Sequence, residues 1–450
     1  MTPITISVLV ALKNNDYIKL TNLAPYINND DYIDGAYNYL DYYLSIKCPG
    51  HEVEYDIVKL LIDLGIRADY KLNNGDSILH KYFNPFRRSI SDKIVKLIVE
   101  SGCDLSAINN NTNNTPLHCY INYCYNHITL ETIKLLIDNG ADPNVRNIFN
   151  FTPLEYYVKY LFIKNDILDV LLSRISNDNE AVFGTLLHLY LSRPRNKSEI
   201  IKLLSRSGIN YKDGDGDTPI MRYLIHCYEI DEDIIKELIH NGANINTVNN
   251  DNYTVLHYYL MYCSKINISS INTFISLGYS FPSPRGILSS YLKGYQKVKL
   301  EIVQYIHKLS NNSKKIIVED IYFIHEYFKR ADDVEVVKYL INEFNYSLEE
   351  TDNKGYTLLH SAVDKYGSEP VIRYLISKGA NINTNNTSGK TILFSAYISR
   401  HINIFKTLLE FNPSPNTILI TIKKNSTNRS SIYRSLKRIN QIFFNEKYYY

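Results

Sequence analysis

The chain has 450 residues and a mass of 52.2 kDa, enough for several domains or one extended repeat array. Its composition, 45% hydrophobic and 21% charged, excludes a largely disordered chain. A formal net charge of +2 gives no global electrostatic reason for nucleic-acid binding, so nucleic acid is not expected as a partner.

The N-terminal "MTPITISVLVALKNN" holds a short apolar run without a cationic leader or a small-residue cleavage site. It reads as the first helix of a helical cap over residues 1–34, not as a signal peptide. No stretch reaches the roughly 18 apolar residues of a membrane span, so no membrane partner is expected. Cys48, Cys103, Cys119, Cys124, Cys227 and Cys263 show no framework spacing, which suits a reducing compartment. Asn-x-Ser/Thr sequons, as at Asn252 and Asn345, follow from the abundance of Asn. The chain has 40 Tyr and no Trp, and is rich in Ile, Asn and Lys. These residues share A/T-rich codons, so the bias points to an A/T-rich genome before any functional selection.

Further along, one short frame recurs: "DSILH" (Ser77), "NTPLH" (Thr115), "FTPLE" (Thr152), "GTLLH" (Thr185), "DTPIM" (Thr218), "YTVLH" (Thr254), "YTLLH" (Thr357) and "KTILF" (Thr391). Successive anchors lie 33 to 38 residues apart, except for a gap of 103 between Thr254 and Thr357. Two degenerate units, near "RGILSSYLKGY" and "DIYFIHEYF", fill that gap. A second element keeps the same phase, as in "YDIVKLLIDLGIRAD", "ETIKLLIDNGADPN" and "PVIRYLISKGANIN". Self-similarity at such a period is the mark of a stacked repeat.

Each recurring residue has a physical reason. The Thr hydroxyl caps a first helix, and the following Pro116, Pro153 or Pro219 gives up only an amide that has no helical partner. Ile57, Val58, Leu60, Leu61 and Leu64 form one apolar stripe on a second helix. Gly65, Gly102, Gly140, Gly208, Gly242 and Gly379 follow that helix, where a left-handed residue favours Gly.

"TPLH" and "LLIDNGADPN", recurring in register, resemble the ankyrin repeat. The resemblance covers about residues 35 to 411. It implies an all-α ankyrin-repeat solenoid of about ten helix–turn–helix units joined by β-hairpin loops, several of them degenerate. A basic, helical C-terminal tail over 412–450 follows the array.

The stretch "DGDGDTP" offers Asp213, Asp215 and Asp217 in a pattern reminiscent of an EF-hand. However, Thr218 stands where that loop needs Gly, and Leu224 where it needs Glu. In the repeat frame it is a hairpin tip, with Gly216 at the tight turn. His80, His118, His188, His257 and His360 share one repeat position and read as structural imidazoles, bonded to backbone or hydroxyl groups. His118, Cys119, Cys124 and His127 are nominal zinc ligands, but Cys119 and Cys124 are spaced to face different sides of a helix. No nucleophile elbow, P-loop, dinucleotide fingerprint or zinc-protease motif is present, so neither catalysis, a cofactor nor a small-molecule substrate is expected. Lys423, Lys424, Arg429, Arg434, Lys437 and Arg438 occur without an acid between them, as a solvated helix surface would.

Two features narrow the family. Extra length lies between helices, as in "NPFRRSIS" and "YNHIT", and Ile, Asn, Lys and Tyr are abundant. Together they resemble the poxvirus ankyrin-repeat proteins linked to host range and immune evasion, and "FNPSPNTILITIKKN" is similar to the segment that follows the repeats there. The resemblance implies a non-enzymatic scaffold that binds a host protein in the host cytoplasm or nucleus. Many members end in an F-box-like domain, whereas this sequence has no "LPxEI"-type motif before Tyr450. Recruitment of cullin-type ubiquitin-ligase components through a cryptic C-terminal element is therefore the alternative. The expected binding surface combines hairpin tips with the exposed side of the first helices. It holds Phe151, Tyr253 and Tyr356 just before a cap, and Tyr123, Tyr160 and Tyr262 near the end of a first helix.

Overall fold

The computed structural model of the chain describes residues 2–27, 33, 38–46, 52–69, 72–85, 89–175, 179–193, 201, 208–281, 286–294, 296–310, 321–344, 346–364, 368–399, 401–414 and 417. Among these residues the structure is helices and turns without a β-strand, and one isolated antiparallel bridge joins Asn385 to Thr391. No helix among them is long and apolar enough to cross a membrane. The basic run Lys423–Arg438 and nearly all of the 412–450 tail lie outside the described residues. Two compact units divide the chain, Met1–Tyr211 and Lys212–Tyr450.

The first unit begins with α1 (Pro3–Lys13) and α2 (Tyr17–Leu23). Then come α3 (Tyr39–Ser45) with α4 (Tyr55–Asp63), α5 (Ile78–Tyr82) with α6 (Asp92–Glu100), and α7 (Pro116–Tyr123) with α8 (Leu130–Asp138). It continues with α9 (Pro153–Tyr160), α10 (Asn165–Leu172) and α11 (Glu180–Leu191). First helices α3, α5, α7, α9 and α11 pack on one another in chain order, and second helices α2, α4, α6, α8 and α10 form another row. Ile57, Val58 and Leu61 of α4, and Ile133, Leu136 and Ile137 of α8, are buried between pairs. Each contributes about 1.5–3 kcal/mol of hydrophobic stabilisation, which no isolated pair could collect.

The second unit repeats the plan in six pairs. These are α12 (Pro219–His226) with α13 (Glu232–His240), α14 (Val255–Tyr262) with α15 (Ile268–Ser276), and α16 (Ile287–Lys293) with α17 (Leu300–Ser310). After them come α18 (Ile321–Phe328) with α19 (Val334–Phe344), α20 (Leu358–Asp364) with α21 (Glu369–Ser377), and α22 (Ile392–Ile398) with α23 (Ile402–Glu410). The pairs α16–α17 and α18–α19 fill the long gap between anchors, and α16 has Gly286 where α14 has the cap Thr254.

Ser77, Thr115, Thr152, Thr218, Thr254 and Thr391 are N-caps of first helices. Thr185 is not. Helix α11 starts earlier, because Asn179 caps it by accepting the Val182 N–H at 3.2 Å. Thr185 therefore lies inside α11, and its hydroxyl donates to the Ala181 carbonyl at 2.8 Å. The C-terminal glycines behave as expected at Gly65, Gly102, Gly140, Gly242 and Gly379, all with positive φ, and Gly278 joins them. At Gly208 close packing is decisive: an added Cβ would lie 2.0 Å from the Gly184 backbone nitrogen.

Several hairpin connections are tight turns that share one plan. The residue five before the cap donates its N–H to the carbonyl of the residue just before the cap, as from Asn147 to Phe151, Asp213 to Asp217, Asn249 to Tyr253 and Asp352 to Tyr356. Two residues before the cap the backbone is left-handed, at Gly75, Asn113, Asn150, Gly216, Asn252, Gly355 and Gly389. Asn substitutes for Gly there because it tolerates that conformation better than other side chains. Neighbouring turns are tied by backbone bonds, such as Ile148 N–H to Thr112 O and Thr387 N–H to Lys354 O.

Tyrosine also has a repeated structural place. The hydroxyls of Tyr43, Tyr82, Tyr120, Tyr157, Tyr223, Tyr259 and Tyr291 accept the backbone N–H of Glu54, Ser91, Thr129, Lys164, Asp231, Asn267 and Lys299 in turn. Each acceptor sits five residues after the cap position of its first helix, and each donor immediately precedes or caps the second helix. A buried phenol thus satisfies a helix-entry amide that would otherwise face apolar core. Codon bias alone does not account for these tyrosines.

Candidate functional site

The shared histidines bind the stack together. Nδ1 of His80, His118, His257 and His360 accepts the backbone N–H of its own cap, Ser77, Thr115, Thr254 and Thr357, at 3.0 to 3.2 Å. Nε2 of His80 meets the Asn114 carbonyl at 2.9 Å, and Nε2 of His118 meets that of Phe151 at 3.1 Å. Both carbonyls belong to the next turn. In α9 Glu155 takes the place of His, accepting the Thr152 N–H and a bidentate pair from Arg146. His188 sits inside α11 with its ring 6.1 Å from that of Tyr211.

The acidic triad has its own cation. Carboxylate oxygens of Asp213, Asp215 and Asp217 converge within 4.8 Å, the only such cluster of potential metal ligands among the described residues. The Arg222 guanidinium lies among them, 2.5 Å from Asp213, 2.9 Å from Asp215 and 3.5 Å from Asp217. Asp213 Oδ1 also accepts the N–H groups of Asp215 and Asp217, and Asp217 Oδ1 accepts from Asn249 and Tyr258. The triad is a pinned hairpin turn with an arginine at its centre. Sequence reading passed over Arg222 because it lies a helical turn beyond the motif. His118, Cys119, Cys124 and His127 are not gathered into a ligand cluster.

The six aromatic candidates fall into different settings. Tyr123, Tyr160 and Tyr262 are the last residues of α7, α9 and α14. Phe151, Tyr253 and Tyr356 do not lie on hairpin tips. Their carbonyls close the turn, which places them at its base. Tyr253 and Tyr356 are half-buried against His257 and His360, each with ring centroids 5.6 Å apart. Tyr253 also meets Tyr258, which meets Tyr262 at 5.4 Å.

In the first unit the aromatics assemble an exposed strip. Tyr160 is 52% exposed, 4.7 Å from Tyr156 and 6.1 Å from Phe151 between ring centroids. Lys159 Nζ lies 4.7 Å from the Phe151 ring and 5.0 Å from that of Tyr160, within cation–π range. The true tip of this turn carries Ile148 and Phe149, 55% and 65% exposed. Both were missed from sequence because the cap, not the left-handed residue, was used to locate the tip. Burial raises the phenol pKa of Tyr123 and of Tyr156. The turns beside the strip are Asn-rich and uncharged from Ile108 to Asn114 and from Asn147 to Phe151. Tyr and Asn beside rigid aromatics form the kind of surface that recognises folded proteins.

Models of ankyrin repeats match residues 295–386 and 329–418 as arrays of three copies, and residues 112–148 and 215–250 as single repeats. The chain is 25% identical over 242 residues to ankyrin repeat protein OPG189 of Variola virus, across 52% of this chain and 41% of that protein. It is also 37% identical over 87 residues to ankyrin repeat domain-containing protein 53 of Mus musculus, 18% of either chain. The chain spans about two fifths of the length of the viral relative it matches. Repeat spacing, the capped helix pairs and the matching repeat models agree that the chain is built of ankyrin repeats, and it is similar to a poxvirus ankyrin-repeat protein.

Proposed function

We propose that the chain is a non-enzymatic scaffold that acts by occupying a host protein in the cytoplasm of the infected cell, in the service of host range or evasion of innate immunity. The observation that carries this reading is the strip of exposed Ile148, Phe149 and Tyr160 with half-buried Phe151 and Tyr156, set in uncharged turns with Lys159 lying across it. Aromatics on rigid elements lose little entropy on binding and supply most interface hot spots. The helix-end Tyr262, packed on Tyr258, is a further contact in the second unit.

The test is affinity purification from human cells with the wild-type chain, a Tyr123→Ala/Phe149→Ala/Tyr160→Ala variant and a Tyr262→Ala variant. Host proteins retained by the wild type should be lost from the triple variant, a cost above roughly 2 kcal/mol in total. Undiminished recovery with a triple variant of native helicity would remove the strip from the interface.

A further inference from the structure

Two cysteines at equivalent positions of successive repeats face each other in the second unit. Cys227 follows the last residue of α12, and Cys263 follows the last residue of α14. Their sulfurs are 2.8 Å apart, across a sequence separation of 36. Both thiols also point at one carbonyl, that of Leu224, at 3.7 and 3.6 Å. The connections after the two helices are tied together, because the N–H groups of Ser264 and Lys265 both donate to the Tyr228 carbonyl at 3.1 and 2.9 Å. The sulfurs are therefore held in apposition by backbone bonds just beyond both cysteines. Cys263 is fully buried, whereas Cys227 keeps part of its surface open to solvent. Cys103, Cys119 and Cys124 are buried.

We propose that Cys227 and Cys263 form a dithiol site that a hydroperoxide oxidises to a disulfide, fastening two neighbouring repeats. The Cys227 sulfur, as thiolate, attacks one peroxide oxygen. The O–O bond breaks, and the departing oxygen takes up a proton as water when the oxidant is hydrogen peroxide. Cys227 is left as a sulfenic acid. The Cys263 sulfur then attacks the Cys227 sulfur. The S–S bond forms as the S–O bond breaks, and the leaving hydroxide takes the Cys263 proton as a second water. Two thiols lose two electrons and two protons, and one peroxide accepts both. In a reducing cytosol the pair rests as thiols, and a burst of peroxide closes it. The hydrogen bond to Cys227 and then burial raise the Cys263 thiol pKa, which leaves the accessible Cys227 to meet the oxidant first.

The experiment uses the full reduced chain treated with a few equivalents of hydrogen peroxide at neutral pH, then peptide mapping of all six cysteines. The expected product is one cross-link between Cys227 and Cys263, with a Tm rise on the order of 5 °C that a dithiol reductant reverses. In Cys263→Ser, a cyclic 1,3-diketone should trap Cys227 as the sulfenic acid, and circular dichroism reports whether that variant is folded. In Cys227→Ser, Cys263 should stay reduced. Oxidation falling first on other cysteines, or no cross-link in a chain of native helicity, overturns the proposal. If Cys263→Ser unfolds, the wild-type map alone decides.

Discussion

His118 joins two repeats: its Nδ1 accepts the Thr115 backbone N–H at 3.1 Å, and its Nε2 reaches the Phe151 carbonyl at 3.1 Å. A backbone N–H only donates and a carbonyl only accepts, so this ring is neutral with its proton on Nε2. Protonating Nδ1 would set a donor against a donor in a buried site. Burial, as the leading cause, holds His118 and His360 at about 4 and lowers His80 and His325.

The pH dependence follows from those directions. Unfolded imidazoles titrate near 6.5, so between 6.5 and about 4 the unfolded chain binds more protons than the folded one. The contribution of each histidine is whole above pH 6.5 and is lost as pH falls through the folded value. For His118 and His360 this is on the order of 3 kcal/mol each at about pH 4. Asp41 opposes them, since burial raises its carboxyl to about 6 and acidification removes that penalty. The histidines outnumber it, so the urea midpoint should fall steadily from about pH 7 to about pH 4.5. His118→Gln keeps a side chain able to cap but not to titrate. It should lose about 1 kcal/mol at neutral pH and show a shallower pH slope. Parallel slopes for variant and wild type would contradict the assignment.

The first-helix tyrosines make a sharper mutational prediction. Tyr157→Phe strands the Lys164 N–H, and Tyr259→Phe strands the Asn267 N–H, while ring packing is kept. Each should cost about 1–3 kcal/mol, the range for a buried donor left unpaired. Tyr160→Phe, at an exposed helix end, should stay within about 0.5 kcal/mol of wild type. Denaturant unfolding of the three variants compares them directly, and equal effects at all three positions would refute the role assigned to the hydroxyls.

The repeat was legible because caps and C-terminal glycines act locally: Thr115 and Gly140 carry their reason in the adjacent residues. What was illegible depends on the neighbouring repeat. Gly208 is confined by Gly184, and Nε2 of His118 is satisfied by a carbonyl 33 residues away. Thr185 misled because "GTLLH" repeats the letters of the cap frame, while Asn179 starts the helix upstream. Of the candidate site, the helix-end tyrosines could be placed by counting. Phe149 could not, since it is marked only by the left-handed Asn150 beside it.

Arg222 is the cation of the aspartate triad, and its removal should expose what the triad does without one. Arg222→Met leaves Asp213, Asp215 and Asp217 converging with their charges uncompensated. Truncating one partner of such a network costs about 2 kcal/mol or more. Millimolar calcium should leave the wild-type Tm unchanged, because the guanidinium occupies the centre. In Arg222→Met calcium should recover part of the loss by mass action. A calcium-dependent rise in wild-type Tm that Asp215→Ala abolishes would make the turn a metal site after all.

Gly216 is confined twice over, and the two constraints can be separated. Its φ is +77°, and a Cβ built there would lie 2.5 Å from Asn250 Oδ1 and 2.8 Å from the Asn250 backbone nitrogen. The first constraint is a left-handed backbone, which costs a side chain roughly 1–2 kcal/mol. The second is the next turn, which approaches so closely that its own Asn250 N–H donates to the Asp215 carbonyl. At Asn252 the same left-handed position already carries a side chain, with φ of +64°. Gly216→Ala should therefore cost more than backbone strain alone, roughly 2–4 kcal/mol, because it also pushes apart two turns. Asn252→Gly should be neutral or stabilising by a few tenths of a kcal/mol, as relief of strain offsets the entropy of a freer unfolded chain. Urea melts of both variants test this. If Gly216→Ala costs no more than about 1 kcal/mol, close packing between turns is not what holds Gly in place.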